Sequence, residues 1–228
     1  MSNSKLLSFQ QIFNYTKTGS DYLNKNSSKQ EKILKTVVNS LILNLKQKYP
    51  SLEFELKNKI YLSEIASELN DFEQQKIFSP FFQTTFISPD GGCLFLIDKP
   101  TNKQYPILIS EMKHQGSNSA IKGNAIERLG KNVIALRSYY IKHEILPFVA
   151  FCSGSDFNTK ESKIIDRLST IAQFSPLNKI NLFKFNSVNP GSYFCKESEW
   201  NFDEMYQICE EIATRSILYF ASKYAIKI

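Results

Sequence analysis

At 228 residues, with 42% hydrophobic and 13% aromatic side chains, the chain suits one α/β domain, 1–228, and its composition excludes disorder over most of its length. Lys and Arg number 28 against 22 Asp and Glu, a formal charge of +6, which favours a polyanionic partner without naming one. Cys93, Cys152, Cys195 and Cys209 are scattered, with no CxxC and no histidine at zinc-finger spacing, so they read as buried free thiols, not a disulfide or zinc framework. The amino terminus lacks a secretory pattern, and the longest apolar run, Cys93 to Ile97, is far below the ~20 residues of a membrane span. The expectation is a soluble, cytoplasmic bacterial protein with no membrane partner.

Residues 1–30 are polar with scattered aromatics and read as a loosely packed arm. From Glu31 to Tyr49, the apolar residues Ile33, Leu34, Val37, Val38, Leu41, Ile42 and Leu45 predict an amphipathic helix closed by Pro50. A short helix follows over Leu62 to Leu69. Strands are predicted over Cys93 to Ile97 and Tyr105 to Ser110, around the turn Lys99 to Asn102, with Pro106 fitting only near the start of its strand. A helix opening at Gly123 sets Ile126, Leu129, Val133, Leu136 and Tyr140 on one face, and Asn124, Glu127, Arg128 and Lys131 on the other. A buried strand over Pro147 to Cys152, a helix over Ser162 to Gln173, a strand over Ile180 to Phe185 and a long helix over Phe202 to Tyr224 complete the pattern. The expected fold class is α/β, a mixed sheet flanked by helices on both faces.

Chemistry concentrates at Pro89-Asp90, before one strand, and Glu111-Met112-Lys113, at the end of the next. Strand alternation sends Glu111 and Lys113 to one side and Met112 to the other. Two carboxylates can hold a Mg²⁺ ion through oxygen ligands, with Lys113 beside it as a compact cation. Phosphodiester hydrolysis needs that set: a metal to polarise the phosphoryl oxygen, and a positive group near the attacking water. Surface charges at strand ends would produce the same letters. In the second motif, Gly123 to Arg128, Asn124 and Arg128 lie one turn apart, and Asn is suited to the adenine edge in the major groove. An ordinary solvated helix face is the plain alternative.

Taken in order, Pro89-Asp90-Gly91-Gly92, Glu111-Met112-Lys113-His114-Gln115-Gly116, and Gly123-Asn124-Ala125-Ile126-Glu127-Arg128 with Lys131-Asn132 resemble the EcoRI family of restriction endonucleases. The likeness continues through Leu146 to Val149, Gly154 to Phe157, Ile165 to Leu168 and Glu199-Trp200, covering roughly Ser88 to the carboxyl terminus. It implies the PD-(D/E)XK fold and a homodimer that cuts double-stranded DNA at a palindrome with an AATT core, leaving 5′-phosphate ends. It also implies a companion methyltransferase in the host. Carried over by residue, Asp90 and Glu111 become metal ligands, the Met112 carbonyl completes the shell and Lys113 is the catalytic lysine. Asn124, Ala125 and Arg128 become base readers, and Glu127 a tie between the recognition helices of the two protomers. Arg167 is a further groove contact and Lys131 a phosphate contact. His114 is expected beside the site or on a phosphate, and Glu64 or Glu68 as an orienting carboxylate, although both glutamates also fit a plain surface role.

The sequence departs from the family in two places. Only Ser117 to Lys122 separate Gly116 from Gly123, where longer relatives insert an arm around DNA, and Thr170 stands where a second arginine is expected. Lys122 is left as a candidate guanine contact, and the bases flanking AATT stay open, GAATTC being one candidate. The alternatives are a structure-specific PD-(D/E)XK repair or junction nuclease, and a non-catalytic DNA-binding protein on the same scaffold.

Overall fold

The computed structural model describes residues 19–61, 63–64, 86–114, 132, 136, 145, 147–154 and 193–228. Helix α1, Gly19–Lys48, starts well before the predicted Glu31, so residues 19–30 of the expected arm are helical, and Gln30 is fully buried. Its buried stripe is Leu34, Val37, Val38, Leu41 and Leu45, the spacing predicted from the sequence. Lys46 and Lys48 offset the negative end of the helix dipole in its last turn, and Pro50, lacking an N–H, stands just beyond.

The strands are β1 Glu53–Lys57, β2 Ile60–Tyr61, β3 Phe86–Ile87, β4 Gly92–Asp98, β5 Lys103–His114, β6 Phe148–Ser153 and β7 Tyr193–Lys196; helix α2, Phe202–Tyr224, follows. Five of them form one sheet in the order β1-β4-β5-β6-β7, and β2 and β3 form a separate two-stranded ribbon. The β1/β4 and β4/β5 pairs are antiparallel, while β5/β6 and β6/β7 are parallel. The sheet is therefore mixed, as expected. Strand β5 is the longest and runs past the predicted end at Ser110, carrying Glu111 to His114 inside the sheet. Pro106, which has no N–H for the ladder, sits opposite Phe95 beside a register shift between Leu94 and Phe95. Asn102 closes the β4–β5 turn at φ 53°, a conformation Asn adopts more readily than most residues.

Register assigns the two faces. Leu94, Leu108, Met112, Val149, Phe151 and Phe194 share one core with Leu34, Val38 and Leu41 of α1 and with Met205, Ile208, Ile212 and Phe220 of α2. Both described helices thus cover the same face. The opposite face carries Lys57, Cys93, Phe95, Ile109, Glu111, Lys113 and Cys152. Helix α2 begins where the sequence predicts, because Asn201 accepts from the Glu204 N–H at 2.9 Å and the Glu204 carboxylate accepts from the Asn201 N–H at 3.1 Å.

Of the predicted helix from Gly123 only Asn132 and Leu136 are described, both helical, with Leu136 of its apolar face fully buried, while the helix over Ser162 to Gln173, the strand over Ile180 to Phe185 and most of the helix over Leu62 to Leu69 lie outside the described residues. Strands β1 and β7 were not anticipated. Among the described residues no helix is long and apolar enough to cross a membrane.

Candidate active site

The Pro89 to Gly92 turn delivers Asp90 to the end of β5. Gly92 N–H donates to the Pro89 carbonyl at 3.0 Å, and Gly91 N–H to the Ser110 carbonyl at 3.0 Å, so the turn is fastened both to itself and to the neighbouring strand. Both glycines are required by position. A Cβ on Gly91 would overlap the Ser110 hydroxyl and press on Leu34 of α1, and Gly92 adopts φ +80° beside the Lys57 carbonyl.

Fixed in this way, Asp90 and Glu111 are joined through backbone and side chain. Asp90 N–H donates to Glu111 Oε2 at 3.1 Å, and Met112 N–H donates to Asp90 Oδ2 at 2.9 Å. Lys113 Nζ lies 2.5 Å from Glu111 Oε1 and 3.3 Å from Asp90 Oδ2, bridging the carboxylates. Strand alternation places Glu111 and Lys113 together, as predicted, and Asp90 reaches them from the turn. The side chain of Glu111 is 5% exposed, while Lys113 and Asp90 are near 20%.

Burial works against both ionised groups, with opposite net results. It pushes the Glu111 carboxyl up to about 7, against the pull of the Lys113 ammonium and with the help of the Asp90 charge. Burial also disfavours the Lys113 ammonium, but Glu111 and Asp90 outweigh it and hold its pKa above the ordinary value. The cluster is therefore a buried acidic pair short of positive charge, its one lysine shared between two carboxylates. Among the described residues no group of three or more His, Cys, Asp and Glu side chains could hold a metal. The oxygen atoms gathered here are those of two carboxylates, with the Met112 main chain beside them. In a strand, the N–H and C=O of one residue face the same neighbour, so the Met112 carbonyl shares the Asp90 side with its N–H.

His114 falls on the opposite face from Lys113. Its Nδ1 is 2.9 Å from Ser153 Oγ, which donates to Gln30 Oε1 at 3.3 Å, and burial lowers its pKa, opposed by Glu199. Trp200, 4% exposed, donates from Nε1 to the Cys152 carbonyl at 3.0 Å and packs edge-on against Phe151, which anchors this end of β6. Sequence reasoning singled out His114 but missed this Gln30–Ser153–His114 chain, because its members are 123 and 39 residues apart and neither Gln30 nor Ser153 belongs to a motif. All four cysteines are free, as expected. Cys152 and Cys195 are nevertheless register partners on β6 and β7, in the row that contains Lys113.

Glu64 pairs with Lys57 at 3.5 Å, and its other carboxylate oxygen accepts from the Tyr61 N–H at 3.2 Å. Glu68 and the expected DNA contacts Lys122, Asn124, Ala125, Glu127, Arg128, Lys131 and Arg167 lie outside the described residues.

An acidic pair and a lysine at the end of a mixed sheet have the chemistry that metal-assisted phosphodiester hydrolysis needs, and the known proteins to which this chain is similar are restriction enzymes. The profile of the restriction endonuclease EcoRI family matches residues 16–227. The type II restriction enzyme RsrI of Cereibacter sphaeroides is 26% identical to this chain over 235 aligned residues, covering 84% of each protein. The type II restriction enzyme EcoRI of Escherichia coli is 25% identical over 219, covering 76% of this chain and 79% of that protein. The chain therefore belongs to the EcoRI family of type II restriction endonucleases.

Proposed function

We propose that this protein is a Mg²⁺-dependent homodimeric endonuclease of the bacterial cytoplasm that cuts duplex DNA at a palindrome with an AATT core, leaving 5′-phosphate ends, alongside a companion methyltransferase. The observation that carries the reading is the convergence of Asp90, Glu111 and Lys113 at the end of β5 in a chain of this family. Asp90, Glu111 and the Met112 carbonyl would hold the cation, an all-oxygen set that suits a hard divalent ion. A cation held there would supply Lewis acidity toward the scissile phosphoryl group and an attacking water. Lys113, beside both carboxylates, would face the phosphate as a fixed positive charge.

The AATT core rests on Asn124, Ala125 and Arg128, whose order matches the family helix and whose amide, methyl and guanidinium groups suit adenine and thymine edges. Digesting a plasmid of known sequence with Mg²⁺ and sequencing the cut ends tests the whole reading. Discrete fragments ending at a central AATT are expected. Cutting only at branched or damaged DNA would instead favour a structure-specific nuclease, and binding without cutting would favour a non-catalytic DNA-binding protein.

A further inference from the structure

We propose that the β2–β3 ribbon is a clamp for the DNA backbone beside the active site, with Lys59 and Tyr61 meeting phosphates and Phe86 positioning Lys59. The inference rests on the reading of the protein as a DNA endonuclease and extends it to a surface that no sequence motif marks.

Position comes first. Residues 57–59 lie against the turn that carries Asp90: Ser88 Oγ donates to the Asn58 carbonyl at 2.9 Å, and a Cβ on Gly92 would come within 3.1 Å of the Lys57 carbonyl and 3.6 Å of Asn58 Oδ1. Ile60 pairs with Ile87 and Tyr61 with Phe86, antiparallel, so the ribbon leads straight into Ser88-Pro89-Asp90. Four residues of chain span at most ~14 Å. Backbone charges recur every ~3.4 Å of axis on each strand, so the ribbon lies within about four phosphates of the bond held at Asp90.

Surface chemistry comes second. Ile60 and Ile87 are buried and root the ribbon, while Tyr61 and Phe86 are 39% and 42% exposed and pack edge to face at 5.9 Å. Lys59 is exposed, and its Nζ sits 4.0 Å from the centre of the Phe86 ring. The two neighbouring charges are already committed to each other, Lys57 being paired with Glu64. Lys59 has no carboxylate partner among the described residues, so its charge faces solvent on an aromatic support that costs it little hydration. Lysine and tyrosine are ordinary phosphate contacts.

The test is the salt dependence of binding to an arbitrary 30-base-pair duplex in Ca²⁺, read by fluorescence anisotropy across a KCl series. The unaltered protein is compared with Lys59→Gln, Lys59→Arg, Phe86→Leu and Lys99→Gln. Lys99→Gln removes the same charge at the far end of β4, where Lys99 pairs with Glu53. The expected result is that Lys59→Gln lowers the slope of log K against log salt by about 0.9 for each Lys59 on a phosphate. Lys59→Arg should keep the slope, Phe86→Leu should lower it in part, and Lys99→Gln should leave it unchanged. An unchanged slope in Lys59→Gln, or an equal loss in Lys99→Gln, overturns the proposal. A changed solution mass in Lys59→Gln or Phe86→Leu with an unchanged slope makes the ribbon a contact between copies and also overturns it. Failure of the unaltered protein to bind any duplex overturns the endonuclease reading as well, whereas normal binding with the wrong slope overturns the clamp alone.

Discussion

Lys113 serves two carboxylates at once, at 2.5 Å and 3.3 Å, and this sharing decides what each substitution should do. Lys113→Ala removes the positive group that would face the phosphate, so cleavage should fall by about 10²-fold or more while DNA binding in Ca²⁺ persists. Glu111→Gln and Asp90→Asn should also be inactive, and a plasmid digest run beside a gel shift checks all three; full activity in any one removes the proposed site. The raised Glu111 pKa gives a second expectation. An acid whose folded pKa is raised contributes stability that is fully present below its ordinary 4.5 and is lost as pH climbs through about 7. Metal binding has the opposite sign, since the ligand must be ionised and the site weakens as pH falls through the same window. Thermal melts with and without Mg²⁺ from pH 5 to 8 should therefore show the metal-induced rise in Tm growing with pH, and Glu111→Gln should flatten it. A rise that is equal at pH 5 and pH 8 would contradict this account. These three residues were legible in the sequence because strand alternation and a short turn are local. The partners of His114 were not, because Ser153 and Gln30 come from distant segments and meet it only through packing.

The geometry of that cluster depends on elements that pack closely at the Pro89 to Gly92 turn. Leu34 of α1 and the Ser110 hydroxyl of β5 both stand where a Cβ on Gly91 would go. Gly91→Ala should destabilise the protein by about 1–3 kcal/mol, the usual cost of overpacking, and should reduce cleavage further because Asp90 moves with the turn. Ser110 Oγ is buried with no hydrogen-bond partner among the described residues, so Ser110→Ala alone should be near neutral or stabilising. In the Gly91→Ala background the same change should recover part of the loss, a coupling that a double-mutant cycle in urea measures. Additive effects would mean that the two side chains do not compete for the same space. The sequence made α2 and the β4–β5 pair readable because each carries its own local signal: a capping box with an apolar stripe, and alternating strands around a tight turn. It concealed β1 and β7, short strands of mixed polarity that are defined by their sheet neighbours more than by their own pattern. Helix α1 was placed but shortened, since Ser, Asn and Lys residues from Gly19 to Lys29 give no apolar stripe to announce its first turns.

At the scale of the molecule, the parallel strands β5 and β6 run the same way, so Glu111 to His114 and Ser153 lie at one edge of the sheet. The chain leaves β5 after His114 and β6 after Ser153 at that same end, and the residues proposed to read DNA follow those two points in sequence. On the proposed reading, a palindromic site would match a two-fold dimer with one active centre for each strand, and Glu127 is the residue proposed to join the two protomers. The proposed reading residues are named from the sequence alone, and their docking geometry is a property of the complex with DNA. Asn124→Ala should cost about 1–3 kcal/mol of discrimination at an AATT site per half-site. Lys131→Gln should weaken binding to all sequences alike and lower the salt slope, because a phosphate contact carries no base information. On the proposed reading the outer pair is the open one, since Thr170 stands where the resemblance leads one to expect a second arginine and Lys122 is the proposed guanine contact. Competition binding with duplexes altered at one base pair at a time separates these contributions. If Asn124→Ala lowers affinity equally for AATT and scrambled duplexes, the helix opening at Gly123 is a backbone contact, and sequence is read elsewhere in the chain.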